Sequence, residues 1–217
     1  MATRTAPKKK QAKKATAPYH HGDLRRALVV AAREELHEVG RDALSLRAVA
    51  RRAGVSHTAA YHHFKDKAAL LAEIAADGFV ALDASMRDAI DAAGPDPLAR
   101  LQAAGRGYVA MAQADPAAYD LMFNGCDIAL SPRLQEVAPL SFLRLSAAVA
   151  AARAHAGLAA ANDDDRHESS TRTDAFILWQ AVHGFAMLRL SGQLEPFGIV
   201  PEEHLERVLH RLTDLFR

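Results

Sequence analysis

The sequence has very little of what would stabilise a small secreted protein or hold a chain in a membrane. Cys126 is the only cysteine among 217 residues, so no intramolecular disulfide can form, which fits a reducing cytoplasm. The most apolar stretch, 175–188, contains Gln180 and His183 and is too short to span a bilayer. No apolar segment follows the basic N-terminal residues, so no signal peptide is expected. These absences predict a cytoplasmic protein with no membrane partner.

Catalytic and cofactor motifs are also missing. We find no nucleophile elbow, phosphate-binding loop, dinucleotide fingerprint or H-E-x-x-H zinc motif, and therefore expect neither an enzyme nor a cofactor. His20-His21 and His62-His63 allow a metal hypothesis, but structural zinc sites usually contain cysteine, and adjacent histidines on a helix do not easily share an ion. The acidic run 162–165 lacks the spacing of a calcium loop. No metal site is predicted.

Alanine and leucine dominate most segments, half of the residues are apolar, and β-branched runs are scarce. An all-α fold of about nine helices is predicted. Charge is unevenly distributed, because residues 1–18 carry six Lys/Arg and no acid, whereas residues 68–217 carry twelve Lys/Arg against twenty Asp/Glu. The basic end suits a polyanion. Residues 1–18 are interpreted as a disordered basic arm, which either contacts DNA weakly or is only a solubilising tail.

Capping residues and apolar spacing predict where helices begin and end. The first helix is expected from Asp23 to Gly40, and a polar loop is expected over 162–171. The other helices are expected at 46–53, 57–63, 67–90, 98–114, from 116, 132–157 with a kink at Pro139, 173–191, and after Pro201.

The segment 45–67 meets the requirements of a helix-turn-helix. Two short helices must approach closely, for which Ala50 is small enough, and Gly54 tolerates the positive φ of the turn. Leu46, Val49, Val55 and Phe64 can hold the helix pair together. The alternative is a small helical hairpin whose charges are merely solvated.

The side chains of this segment suit DNA. Ser45 and Ser56 cap helices whose N-termini can face phosphates. Cationic contacts are expected from Arg47, Arg51, Arg52, Lys65 and Lys67. Hydrogen-bond donors are expected from Tyr61, His62 and His63, and base readers from His57, Thr58 and Ala59 at the start of the second helix.

The runs Leu46-x-x-Val49-Ala50, Ala53-Gly54-Val55-Ser56 and Tyr61-x-His63-Phe64-x-x-Lys67 resemble the DNA-binding domain of the tetracycline-repressor (TetR) family of bacterial regulators. The resemblance implies a homodimer with a three-helix DNA-binding domain and a helical ligand domain. It also implies phosphate contacts by Ser45, Tyr61, His63 and Lys67. Ala60 departs from the family, which usually has a larger apolar residue there. Trp179-x-x-x-His183-Gly184 and the run 19–24 resemble a Trp-His-Gly subgroup of that family.

The resemblance divides the chain into the arm (1–18), a DNA-binding domain (19–67) and a ligand-binding and dimerisation domain (68–217). A small-molecule effector is expected to contact Met86, Tyr108, Met111, Phe123, Cys126, Trp179, His183 and Met187. Most of these residues have the spacing of an ordinary core, and His183 alone could be a satisfied core histidine. Cys126 could sense thiol-reactive compounds or be inert. A dimer interface is expected at Phe176, Leu205, Val208, Leu209 and Leu212.

The function predicted from the sequence is a homodimeric repressor that a small-molecule effector releases from a palindromic double-stranded DNA operator. The methionine and aromatic residues of this domain favour a largely apolar pocket, and the acidic balance of 68–217 favours a neutral or cationic effector. One alternative is a helical enzyme or small-molecule carrier whose helix-turn-helix is incidental. Another is a regulator that activates, or that has no ligand.

Overall fold

The computed structural model describes residues 21–125, 131–158 and 164–216, and within these residues the chain forms helices and turns without a β-strand. The predicted arm (1–18), His20 and Cys126 lie outside them. The helices are α1 (His21–Ala43), α2 (Leu46–Arg52), α3 (His57–His63), α4 (Lys67–Ala92), α5 (Pro97–Ala114), α6 (Pro116–Asp120), α7 (Pro132–Val137), α8 (Leu140–His155), α9 (Asp164–Leu190) and α10 (Pro201–Thr213). A bend at Pro139 separates α7 from α8 within one longer apolar stretch, so the all-α prediction of about nine helices is confirmed.

The helices α2 to α7 each begin at a capping side chain, whereas α8 and α10 begin without one. Asp115 before Pro116 and Ser131 before Pro132 each accept a hydrogen bond from the amide three residues further on, at 3.0 and 3.3 Å. Proline at the first helical position lacks only an amide hydrogen that would have no partner inside the helix. The predicted starts of α6 and α7 are confirmed.

The first three helices pack together into a small unit, which we call the head. Its buried side chains include Leu28, Leu46, Val49, Ala50, Ala60 and Phe64. Gly54 turns the chain between α2 and α3 with φ 69°, a conformation that favours glycine. Ala60 is fully buried, so the head accommodates the smaller residue within its core.

α4 connects the head to the remaining helices. It has 26 residues and is therefore about 39 Å long. Its closest neighbour is α5, where Gly107 lies against the backbone of Ser85 and Met86. The Ser85 hydroxyl donates a hydrogen bond of 2.8 Å to the carbonyl oxygen of Gly107. The absence of a side chain at 107 thus allows the two helices to touch.

Two predicted boundaries are wrong. α1 begins at His21 rather than at Asp23, although its backbone does leave helical geometry at the predicted stop, Gly40 (φ 74°, ψ 171°). α9 begins at Asp164, so residues 164–171 of the predicted loop are helical. The prediction used the missing apolar period of this segment. Glu168 and Ser169 of this segment are exposed, and an exposed helical turn does not need an apolar period.

The stretch Pro132–His155 is long and apolar enough to cross a membrane by length and composition alone, with a mean hydropathy of 1.3. Its arginines, however, bond to neighbouring helices. Arg144 donates to Asp83 of α4 at 2.6 Å, and Arg153 pairs with Asp174 of α9. The stretch is therefore packed among α4, α5 and α9, and its outer side remains apolar.

Candidate nucleic-acid interface and internal cavity

Two serines fix the N-termini of the short helices in the head. The Ser45 hydroxyl accepts the amide hydrogen of Ala48 at 3.2 Å, and the Ser56 hydroxyl accepts that of Ala59 at 3.1 Å. Both caps use the oxygen as acceptor and leave the hydroxyl proton free to donate. Each serine is exposed. Both can therefore cap a helix and donate to a phosphate at the same time.

The outer side of α3 carries polar groups that are open to solvent. His57, Thr58, Tyr61 and His62 are exposed. The rings of His57 and Tyr61, one helical turn apart, meet edge to face at 4.5 Å between centroids. This contact orders the tyrosine on the side of the helix that begins with the predicted base readers. Ala59 is half-buried, so its methyl group is only partly available.

The phosphate-binding candidates at the end of α3 and the start of α4 are held by the head itself. His63 and Lys67 are half-buried. The Lys67 ammonium donates to the carbonyl oxygen of Asp42 at 3.0 Å. An ammonium has three donors, so two remain for a phosphate.

Arg52 is not an available cation, contrary to the prediction. It donates to Glu35 of α1 at 2.8 Å and also pairs with Glu38. These ion pairs hold α2 against α1, and the two carboxylates balance the positive charge of the guanidinium. Arg47 and Arg51, by contrast, are exposed and make no ion pair within the described residues. A count of basic residues could not separate these roles, because the partners come from another helix.

A second arginine network, which the sequence analysis missed, joins the head to the long helix and to α7. Arg25 donates to Glu73 at 2.6 Å and to the carbonyl oxygen of His63 at 3.1 Å, and its guanidinium lies 4.5 Å from the ring centre of Phe64. Glu73 also pairs with Arg133. These bonds fix the end of α3 relative to α4.

A cavity of about 390 Å³, partly open to solvent, lies between α4, α5, α8, α9 and the segment Leu121–Gly125. Six aromatic side chains line it: Phe79, Tyr108, Phe123, Phe142, Phe176 and Trp179. The other lining residues are Met86, Met122, Ala138, Ser141 and Leu145. None of the lining side chains within the described residues carries a charge. A cavity of this volume and composition is typical of sites for small apolar molecules.

A cluster of three polar groups, the tyrosine–histidine cluster, adjoins this cavity. The hydroxyls of Tyr108 and Tyr119 both lie 2.8 Å from Nδ1 of His183 and 3.1 Å from each other. Burial raises the pKa of Tyr108 to about 12 and also raises the pKa of Tyr119. Burial lowers the pKa of His183 below its usual range. All three groups are therefore neutral at physiological pH, and the cluster adds no charge to the wall.

The structure brings only some of the predicted effector residues together. Met86, Tyr108, Phe123 and Trp179 line the cavity. His183 does not line the cavity, but its Nδ1 hydrogen-bonds to the hydroxyls of Tyr108 and Tyr119. Met111 and Met187 correct the prediction, since neither lines the cavity and both pack in or against the core. Sequence spacing showed that these methionines face inwards, but not whether they face a cavity or other side chains.

The comparisons with known proteins agree with this architecture. Residues 28–74 match the family model of bacterial regulatory proteins of the tetR family. Residues 101–213, more than half of the chain, match a tetracyclin repressor-like C-terminal domain. The chain belongs to the TetR family. It is a DNA-binding transcriptional regulator with an N-terminal helix-turn-helix and a helical C-terminal domain.

Solved structures show the same TetR-family fold over nearly the whole chain. A protein of unknown function from Rhodococcus sp. RHA1 is 32% identical, covers 93% of this chain and 97% of its own, and superposes with a TM-score of 0.73. A protein proposed to be regulatory, SCO4313, is 28% identical over 88% of this chain and 96% of its own, with a TM-score of 0.70. The TetR-family regulator PfmR from Thermus thermophilus shares the fold at 18% identity, 87% and 96% coverage, and a TM-score of 0.58. No curated protein shows significant similarity. The Trp-His-Gly subgroup stays a prediction.

The predicted dimer residues of this TetR-family regulator fall on two different surfaces. Phe176 is 38% exposed on α9. Leu205 and Leu209 are buried within a single chain, and Leu209 lies against the space above Gly105 of α5. Val208 and Leu212 are half-buried. Within one chain α5 and α9 therefore cover Leu205 and Leu209, whereas Val208 and Leu212 keep part of their surface, and an interface through α10 stays a prediction.

Proposed function

We propose that the protein is a homodimeric repressor that binds a palindromic operator through the exposed side of α3 and is released by a small-molecule effector held in the internal cavity. The observation that carries the proposal is the surface at the start of α3. There Ser56 caps the helix, and His57 and Thr58 are exposed beside a polar, partly basic rim. We assign DNA binding to residues 19–67, ligand binding and dimerisation to 68–217, and weak DNA contact to the arm (1–18).

The proposed dimer uses the outer sides of α8 and α9, which we call the α8–α9 face. Its exposed apolar residues are Leu140, Leu143, Phe176, Ile177 and Leu188, of which Leu143 is 60% exposed. α8 and α9 are neighbours, and large apolar side chains exposed on neighbouring helices favour a surface that binds a partner. A second copy related by a two-fold axis would bury the same face on both chains and form a four-helix interface. This role also accounts for the apolar outer side of Pro132–His155.

Effector release follows from the position of the cavity. The cavity lies between α4, α5, α8 and α9, and α4 also connects to the head. A ligand that fits better when the two heads are wrongly spaced for the operator would shift the population away from DNA. Such a molecule would act in the cytoplasm, where the operator is.

The DNA-binding surface can be tested with a site selected from random duplex DNA, which we expect to be palindromic with half-sites about 34–36 Å apart. Lys67→Ala or Tyr61→Phe should weaken binding to every sequence. Lys67→Ala should also reduce the steepness of the plot of log binding constant against log salt concentration. The slope should fall by about 0.9 for each phosphate that the variant no longer neutralises. Thr58→Ala should instead reduce sequence preference at one position of each half-site by about tenfold. The variants control for each other in mobility-shift titrations at several salt concentrations. An unchanged affinity and salt dependence in Lys67→Ala would contradict its phosphate role.

The cavity can be tested with the single tryptophan, because Trp179 lines it. Any compound that releases the protein from DNA should change Trp179 emission over the same concentration range. Trp179→Phe, which keeps an aromatic ring, should lose the signal and remain responsive in a mobility-shift assay. A releasing compound that leaves the emission unchanged would place the effector elsewhere.

A further inference from the structure

The wall of the cavity contains one polar group that the fold leaves unused. Ser141 of α8 lines the cavity and is only 8% exposed, yet its hydroxyl has no hydrogen-bond partner within the described part of the chain. A helical serine commonly donates back to the carbonyl oxygen of the preceding turn. Ser146 of the same helix does so, to Phe142 at 2.9 Å. The hydroxyl oxygen itself keeps some accessible surface, which at this position opens onto the cavity. The hydroxyl of Ser141 is therefore available to a molecule in the cavity.

The remainder of the wall limits the charge of that molecule. The polar groups of the lining residues that the structure describes are the hydroxyls of Ser141 and Tyr108 and the indole N–H of Trp179, which bonds to Tyr108. None of these described lining residues is basic. An ion transferred into such a site would lose its hydration without gaining a counter-charge. A buried carboxylate or sulfonate is therefore strongly disfavoured.

The second hydroxyl is already engaged. Tyr108 bonds within the tyrosine–histidine cluster, to Tyr119 and to Nδ1 of His183. When Nδ1 is the acceptor, the protons of both tyrosines remain inside the cluster. Ser141 is then the lining group with a donor to spare.

We propose that the cavity binds a neutral, ring-containing apolar molecule whose single polar group, a hydroxyl or carbonyl oxygen, hydrogen-bonds to the hydroxyl of Ser141. The flat apolar body would pack against the aromatic side chains of Phe79, Phe123 and Trp179. This inference rests on the proposed function only in calling that molecule the effector.

Three probes of similar shape separate these requirements: naphthalene, 2-naphthol and 2-naphthoate, titrated by calorimetry into the full-length protein at neutral pH without DNA. We expect 2-naphthol to bind about tenfold more tightly than naphthalene, the increment of one net hydrogen bond. We expect 2-naphthoate to bind at least about 100-fold more weakly than 2-naphthol, because its charge would be buried unpaired.

The role of Ser141 is tested by a matched pair on one helix. Ser141→Ala should abolish the preference for 2-naphthol and leave the affinity for naphthalene unchanged. Ser146→Ala should keep the preference, since its hydroxyl is bonded to the helix backbone. Ala138→Leu enlarges a lining side chain and should weaken both neutral probes, which locates them in the cavity.

Three results would overturn the inference: none of the probes binds, 2-naphthoate binds as tightly as 2-naphthol, or Ser141→Ala keeps the preference. These results are independent of DNA. If 2-naphthol binds with the expected preferences and true effectors prove to bind elsewhere, the proposed release mechanism fails and the inference about the cavity stands. If an anion releases the protein from DNA and no neutral probe binds, the inference about the cavity fails. The proposal that the protein is a ligand-released repressor then stands.

Discussion

Replacing Ile177 with glutamate should give a folded monomer whose operator affinity is lower by about 10²–10⁴-fold. Ile177 is 44% exposed on α9, so the change costs little within one chain. In the proposed dimer it would place like charges against an apolar surface on both sides of the two-fold axis. A monomer loses the second half-site, and its affinity falls by the effective concentration that the second head has in a dimer, which is in the millimolar range. Sedimentation velocity and mobility-shift titration measure the two effects.

Two variants control this experiment. Val80→Glu changes a side chain of similar exposure (42%) on α4. Val80 is not one of the residues that define the α8–α9 face, and the variant should remain dimeric. Leu209→Glu changes a residue that is 3% exposed, and should unfold the chain rather than dissociate it. A dimeric Ile177→Glu protein with unchanged operator affinity would exclude the α8–α9 face. A folded, monomeric Leu209→Glu protein would restore α10 as the interface.

The head could be predicted from the sequence because its determinants are local. A cap at Ser56, a glycine at 54 with φ 69° and a small residue at 50 each act within a few residues of themselves. The family comparison then confirms the helix-turn-helix that those residues predict. The same local reasoning predicted that Arg52 contacts DNA. In the structure it pairs instead with Glu35 and Glu38, which belong to α1 and could not be identified as partners from the sequence.

The packing of α4 to α10 was harder to predict, because the apolar stripe of a helix does not reveal what covers it. The stripe of α10 lies against α5, where Gly105 leaves room for Leu209. The stripes of α8 and α9 each have an inner and an outer side, and only the structure shows that Leu143 lies outside. Ser141 carried no sequence signal, since the meaning of its hydroxyl depends on a cavity formed by four helices.

The contact between α4 and α5 should depend on Gly107 more than on any other glycine of α5. A Cβ atom at 107 would lie 2.6 Å from the carbonyl oxygen of Ser85 and 2.8 Å from Cα of Met86. Both atoms belong to backbone, so the helices must separate. We expect Gly107→Ala to lower the free energy of unfolding by about 3 kcal/mol. For a chain of this size that corresponds to a melting temperature about 6–12 °C lower.

Gly105→Ala is the matched control, with the same change two residues earlier on the same helix. Its Cβ would lie 2.4 Å from Cδ2 of Leu209, the far end of a flexible side chain that can rotate away. The gain of about 1 kcal/mol from replacing a helical glycine should offset most of the cost, so the net change should be within about 1 kcal/mol. Differential scanning calorimetry at one protein concentration keeps any dimer contribution equal for the two variants. If Gly107→Ala were as stable as Gly105→Ala, α4 and α5 would be free to move apart. A rigid backbone contact between the head-bearing helix and the cavity wall would then be excluded.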